Sequence, residues 1–170
     1  MLQNFPVLIS ACLLDMSCRF DGRGSGSPGI ISMASSMNII PFCPEQLGGL
    51  STPRPPARIV GGDGGDLFTG KARVINSIGE DVSEAFRRGA EESLRLASLT
   101  KAKIALLKDR SPSCGLSTPY CDSPGESGVG VTAAFLNSFG IRTMQIHKGD
   151  EFPTPEFIAL FEELYGISLG

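Results

Sequence analysis

Along the chain, apolar residues gather in short unbroken runs set between polar, Gly- and Pro-rich stretches. Pro6-Val7-Leu8-Ile9-Ser10-Ala11, Asn38-Ile39-Ile40-Pro41-Phe42 and Lys103-Ile104-Ala105-Leu106-Leu107 are the clearest. A run without alternation predicts a strand buried on both faces, as in a parallel sheet. Arg58-Ile59-Val60, Ala72-Arg73-Val74-Ile75 and Ile141-Arg142-Thr143-Met144-Gln145 are weaker strand predictions. Between the runs the period lengthens. Residues 80–99 carry Val82, Ala85, Phe86, Ala90, Leu94 and Ala97 near helical spacing, with charges on the other face. Residues 128–139 predict a second helix, stopped by Gly140, and residues 155–165 a third, with Thr154 as N-cap and Pro155 at the first helical position. This order predicts an α/β fold: one domain over residues 1–170, a Rossmann-like three-layer sandwich whose mostly parallel central sheet is flanked by helices.

Composition narrows the function. The 170 residues hold 21 Gly, 12 Pro and no Trp, so much of the chain is shaped loop. A net charge of -3 gives no basic footprint for duplex nucleic acid and points to a small-molecule substrate. No stretch reaches the roughly 20 apolar residues of a membrane span, and the N-terminus lacks a basic, apolar leader. The expected location is the cytoplasm, with no membrane partner. The belt over residues 48–65 reads as a shaped loop within the domain, not a linker.

Cys12, Cys18, Cys43, Cys114 and Cys121 are an odd, scattered set. In a reducing compartment such usage points to metal binding or catalysis sooner than to disulfides; inert buried thiols are the alternative. Cys12, Cys43 and Cys114 each lie just beyond the carboxyl end of a predicted strand, and in an open parallel sheet those ends share a ligand-binding crevice. Three soft donors without an obvious fourth would leave a metal an open coordination position, where substrates bind. The clustered Cys-x2-Cys spacing of many iron–sulfur proteins is absent. Residues alone leave a metal site, a thiol-based catalytic site and structural thiols all open.

The segments LISACLLDMSCRFDG, PFCPEQLGGLSTPRPPARIVGGDG and LLKDRSPSCG, with GVGVTAAFL downstream, resemble the signature segments of the thiouracil desulfurase family over about residues 7–136. The resemblance implies an α/β fold with a largely parallel sheet. It also implies a [4Fe-4S] cluster held by Cys12, Cys43 and Cys114 alone, leaving one iron open to the sulfur of a thiolated base or nucleoside. Glu45 then corresponds to the general base that activates the attacking water. Ser111, with Ser113 as partner, would orient the substrate or relay a proton. The sulfur leaves as hydrosulfide, to an acceptor, without net electron transfer. The other classes to weigh are a non-catalytic iron–sulfur or metal protein (carrier or sensor) and a metal-free thiol enzyme.

Other residues take expected roles beside these. Arg54 and Arg58 are anchors for an anionic enethiolate or phosphate. Lys108 is a substrate-binding residue, with plain surface charge over Lys108, Asp109 and Arg110 as the alternative. Gly61-Gly62-Asp63-Gly64-Gly65 lacks the ending of a phosphate loop and reads as a flexible turn lining the site, with no helix after it. Cys18 reads as a bystander with a fourth cluster ligand as its lesser role, Cys121 as a surface or structural thiol with sulfur acceptance as its lesser role, and His147 as a solvated side chain with a catalytic task as the alternative. Asp15 stands where the family usually has glycine, Phe20 where tyrosine is frequent, and residues 117–127 depart from the family pattern.

Overall fold

A computed structural model describes residues 2–122 and 127–168. Six strands, β1 (Pro6–Ser10), β2 (Asn38–Phe42), β3 (Ala57–Val60), β4 (Arg73–Asn76), β5 (Ile104–Lys108) and β6 (Arg142–Ile146), alternate with six helices: α1 (Pro28–Met33), α2 (Pro44–Leu47), α3 (Gly64–Phe68), α4 (Ser83–Thr100), α5 (Val131–Ser138) and α6 (Pro155–Tyr165). Four strands form one parallel sheet in the order β2-β1-β5-β6. The fold class is α/β, as expected. The two apolar central strands explain it: Val7, Leu8 and Ile9 of β1 and Ile104 to Leu107 of β5 are all fully buried.

The pleat of those strands divides the core. Val7, Ile9, Ile104 and Leu106 point to one face, against Ile30 of α1 and Phe157 and Phe161 of α6. Leu8, Ala105 and Leu107 point to the other, against Ala97 of α4 and Ala133 and Leu136 of α5. Period-two alternation inside an apolar run thus feeds helices on both faces. Each fully buried Leu, Ile or Phe contributes about 1.5–3 kcal/mol.

Of the three weaker runs, the last joins the parallel sheet as β6, and the other two behave differently from expectation. β3 and β4 leave the main sheet and pair with each other, antiparallel, from Ala57 opposite Asn76 to Val60 opposite Arg73. They pack Ile59 and Val74 with Leu67, Phe86 and Ala90, forming a lobe against α3 and α4. α4 starts at Ser83, three residues later than its apolar period predicts, while α6 begins at Pro155 with the Thr154 hydroxyl accepting from Phe157 N, as the sequence predicts. Gly140 takes φ +83° just past α5, the predicted stop.

A helix does follow the Gly61–Gly65 turn. Asp63 caps α3 and Asp66 returns the bond to the cap backbone, so the segment is a reciprocal capping box, not a flexible turn. The short helix α2 lies flush on α4 because two glycines face each other's backbone. A Cβ on Gly48 would come within 2.0 Å of Ala85 O, and one on Gly89 within 2.1 Å of Pro44 O.

Candidate active site

At the carboxyl edge of the parallel sheet lies a cavity of about 240 Å³. Three connections deliver its thiols. Cys12 sits in the 3-10 turn Ala11–Leu14 after β1. Cys43 directly follows β2 and is the N-terminal flanking residue of α2. Cys114 lies in the turn after β5, where the Ser111 hydroxyl oxygen accepts from the amides of Ser113 (3.1 Å) and Cys114 (3.0 Å). All three line the cavity, so the fold brings together sulfur atoms from positions far apart in sequence.

Cys18 also lines the cavity, and its carbonyl oxygen accepts from the Cys43 thiol at 3.7 Å. Its placement among the other thiols was not legible in its spacing. The neighbouring Cys12 thiol, and burial, push Cys18 up to about 11. Cys43 is raised well above an ordinary thiol by its contact with Cys18 and by burial. Burial pushes Cys114 up to about 12, against hydrogen bonds with Ser10 and Ser111. Without a cation these sulfurs stay protonated; metal binding would have to displace the protons. All five cysteines are free.

Among the described residues, no group of three or more His, Cys, Asp or Glu is arranged to hold a single metal ion. The donor chemistry fits a polynuclear group instead: soft thiols of Cys12, Cys43 and Cys114 spread around a cavity rather than converging on one point.

Glu45, in the first turn of α2, lines the same cavity. Arg54 Nε donates to its Oε2 at 2.6 Å, and both side chains are largely enclosed, 6% exposed for Arg54 and 14% for Glu45. The guanidinium also donates to Ser51 O, Thr52 Oγ1 and Cys18 O. Arg54 therefore ties the carboxylate to the loop that carries Cys18. No protein donor among the described residues reaches Glu45 Oε1.

On the facing wall, Lys108 Nζ is paired with Asp109 Oδ1, and Asp109 Oδ2 lies 2.7 Å from His147 Nδ1. Burial would raise the Asp109 carboxyl, but hydrogen bonds from Lys108 and His147 outweigh it and hold the group below its ordinary value. His147 is not merely solvated: it is half exposed and tied to a cavity-lining carboxylate. Arg19 and Arg110 add further positive charge, so the lining is net cationic within a chain of net charge -3. Such a lining favours the anionic form of a small ligand.

Two sequence-derived residues stand apart from the cavity. Ser113 is 1% exposed and bonds the Thr132 hydroxyl at 3.0 Å, beneath the cysteine turn. Arg58 pairs with Asp122 at 2.5 Å on the surface. The Gly61–Gly65 turn is not part of the lining either, being tied down by Asp122 and the α3 cap. Cys121 is buried among Ile59, Leu67 and Phe86 and donates to Thr118 O, the setting of a structural thiol rather than of an exposed sulfur acceptor. Phe20 and Tyr120 also line the cavity, each about half exposed. Tyr120 belongs to the divergent stretch 117–127, of which residues 123–126 lie outside the described residues. Asp15 adopts φ +63°, the left-handed conformation a glycine takes freely, and its carboxylate accepts from Gly26 N.

The model of the 2-thiouracil desulfurase family matches residues 7–148. This chain belongs to that family. It is 40% identical over 141 residues to an uncharacterized protein, YbbK, of Bacillus subtilis (strain 168), across 81% of this chain and 93% of that protein. Among solved structures it is similar to the [4Fe-4S]-dependent thiouracil desulfidase TudS, with 36% identity, a TM-score of 0.74, and coverage of 94% of this chain and 99% of TudS. No helix among the described residues is long and apolar enough to cross a membrane.

Proposed function

We propose that this member of the desulfurase family is a [4Fe-4S]-dependent enzyme that removes sulfur hydrolytically from a thiolated pyrimidine of the thiouracil type or a similar small thioamide. The observation that carries the reading is the meeting of Cys12, Cys43 and Cys114, from three parallel-strand ends, in one cavity with Glu45. Those three cysteines would hold the cluster. When bound, it supplies a Lewis-acidic iron with an open position for the soft substrate sulfur.

The chain's own groups do the rest. Glu45 takes a proton from the attacking water through Oε1, while Arg54 fixes Oε2. Oxygen from that water bonds to the thiocarbonyl carbon, the carbon–sulfur bond breaks, and sulfur departs with its electron pair as hydrosulfide. No electron is gained or lost overall. Ser111 accepts two backbone amides, which leaves its hydroxyl hydrogen to donate toward the substrate. Lys108, held by Asp109, places positive charge beside the heterocycle. Ser113 acts beneath them by supporting the cysteine turn, and Arg58 by bracing the segment that carries Tyr120. The released hydrosulfide passes to a sulfur acceptor.

Anaerobic purification, iron analysis and sulfide release from 2-thiouracil test the proposal. Cys43→Ala should lose iron and activity together, whereas Glu45→Gln should keep the iron and lose about 10²–10⁴-fold in turnover. Sulfide release by iron-free protein would sink it, and an iron-loaded wild type that releases none would leave a carrier or sensor.

A further inference from the structure

The chain has ten Phe and two Tyr. Among the described residues, Phe20 and Tyr120 are the two of these that are neither buried nor in contact with another ring, and both line the cysteine cavity. Neither ring stands on loose chain. Phe20 O accepts from Arg54 N at 2.9 Å, and the Arg19 guanidinium, held by Asp21, lies 5.7 Å from the Phe20 ring centroid. Tyr120 O accepts from Ile59 N at 2.8 Å, on the edge of β3 away from β4. Thr118 and Cys121 on either side of it are buried, so the backbone is anchored while the ring between them is 46% exposed. Arg54 and Ile59 are five residues apart on one connection, which sets the two anchor points at most about 18 Å from each other. Two rings fixed to one belt thus open on one cavity, with apolar area in water that a flat ligand would cover.

We infer that Phe20 and Tyr120 are specificity-determining residues that take the substrate ring by its flat faces, so that the site selects a planar, conjugated thiocarbonyl heterocycle over a puckered or acyclic thioamide. The inference rests on the reading of this cavity as the desulfurase site. Stacking holds a ring by its faces and leaves its edge, which carries the thiocarbonyl, to Glu45, Ser111 and Lys108. The contact is made before the chemistry begins, so its loss belongs in KM more than in kcat.

Equilibrium dialysis of the cluster-loaded enzyme with uracil and 5,6-dihydrouracil tests this without turnover. The two share their polar edge, and only uracil is flat and conjugated. Wild type should bind uracil about twentyfold tighter, with each ring supplying about fivefold, the lower end of what base stacking contributes. Phe20→Leu and Tyr120→Leu keep apolar volume at half-exposed positions; each should weaken uracil about fivefold and leave dihydrouracil unchanged. Tyr120→Phe keeps the ring and should bind as wild type does. With 2-thiouracil, KM should rise about fivefold in either Leu variant while kcat and iron content hold. Equal weakening of both ligands overturns the inference, as does a wild-type preference for uracil in both Leu variants. So does loss of iron from both, which would make the rings structural, or a Tyr120→Phe as weak as Tyr120→Leu. Sulfide release judges the underlying reading separately: a wild type that prefers uracil yet releases no sulfide from 2-thiouracil keeps the ring clamp and loses the desulfurase assignment.

Discussion

On the α2 side of the cavity Glu45 is held by Arg54; on the β5 side Asp109 is held by Lys108. The two pairs have the same charges and opposite construction. Arg54 reaches back nine residues and spends its remaining donors on Ser51, Thr52 and the Cys18 carbonyl, so the Glu45 pair is rigid and enclosed. Lys108 and Asp109 are chain neighbours, and the free side of Asp109 goes to His147, which is 56% exposed. One wall fixes a carboxylate oxygen in space. The other leads a charged chain from the cavity to solvent.

Removing Arg54 should break that contrast most severely. Arg54→Ala leaves a largely enclosed carboxylate uncompensated, so urea denaturation should show a loss of about 3–5 kcal/mol, and sulfide release should disappear. Arg54→Lys sharpens it: the charge is restored without the planar fork, so most of the stability returns while kcat stays about tenfold down, the part owed to orientation. On the other wall Asp109→Asn should cost about 2 kcal/mol at pH 7, as expected for hydrogen bonds to a charged group. Because its folded pKa is depressed, Asp109 contributes stability above the ordinary carboxylate range and loses it as pH falls through the lowered value. Denaturation curves of wild type and Asp109→Asn should therefore converge in acid. The smallest effect belongs to His147→Gln, under about 1 kcal/mol for a pair open to water.

The same contrast shows what a sequence can disclose. β1 and β5 announce themselves because both faces are buried, and the strand-end positions of Cys12 and Cys114 follow from that; Cys43 follows β2, an edge strand whose apolar run reads the same way although it is only partly buried. β3 and β4 look like further members of the sheet, since a three- or four-residue apolar run says nothing about which partner it pairs with or in which direction. α2 and α3 are too short to show a period, so the capping carboxylates of Asp63 and Asp66 pass for loop. Arg54 reads as a substrate anchor because its charge is visible and its partners are not; three of them are backbone or hydroxyl oxygens, and backbone oxygens carry no residue signature. Cys18 and His147 look idle in the sequence for the same reason: each acquires its neighbours only through tertiary contact.

The glycine contact between α2 and α4 bears on how such a protein is engineered. Gly89 sits inside an 18-residue helix, where glycine weakens the helix by about 1 kcal/mol relative to alanine, and a stabilisation campaign would replace it early. Here the methyl would meet the Pro44 carbonyl at 2.1 Å and force α2 outward, carrying Cys43 and Glu45 with it. A design rule built on helix propensity alone would count Gly89→Ala among its safe choices, whereas thermal melting and sulfide release should both count it among its losses.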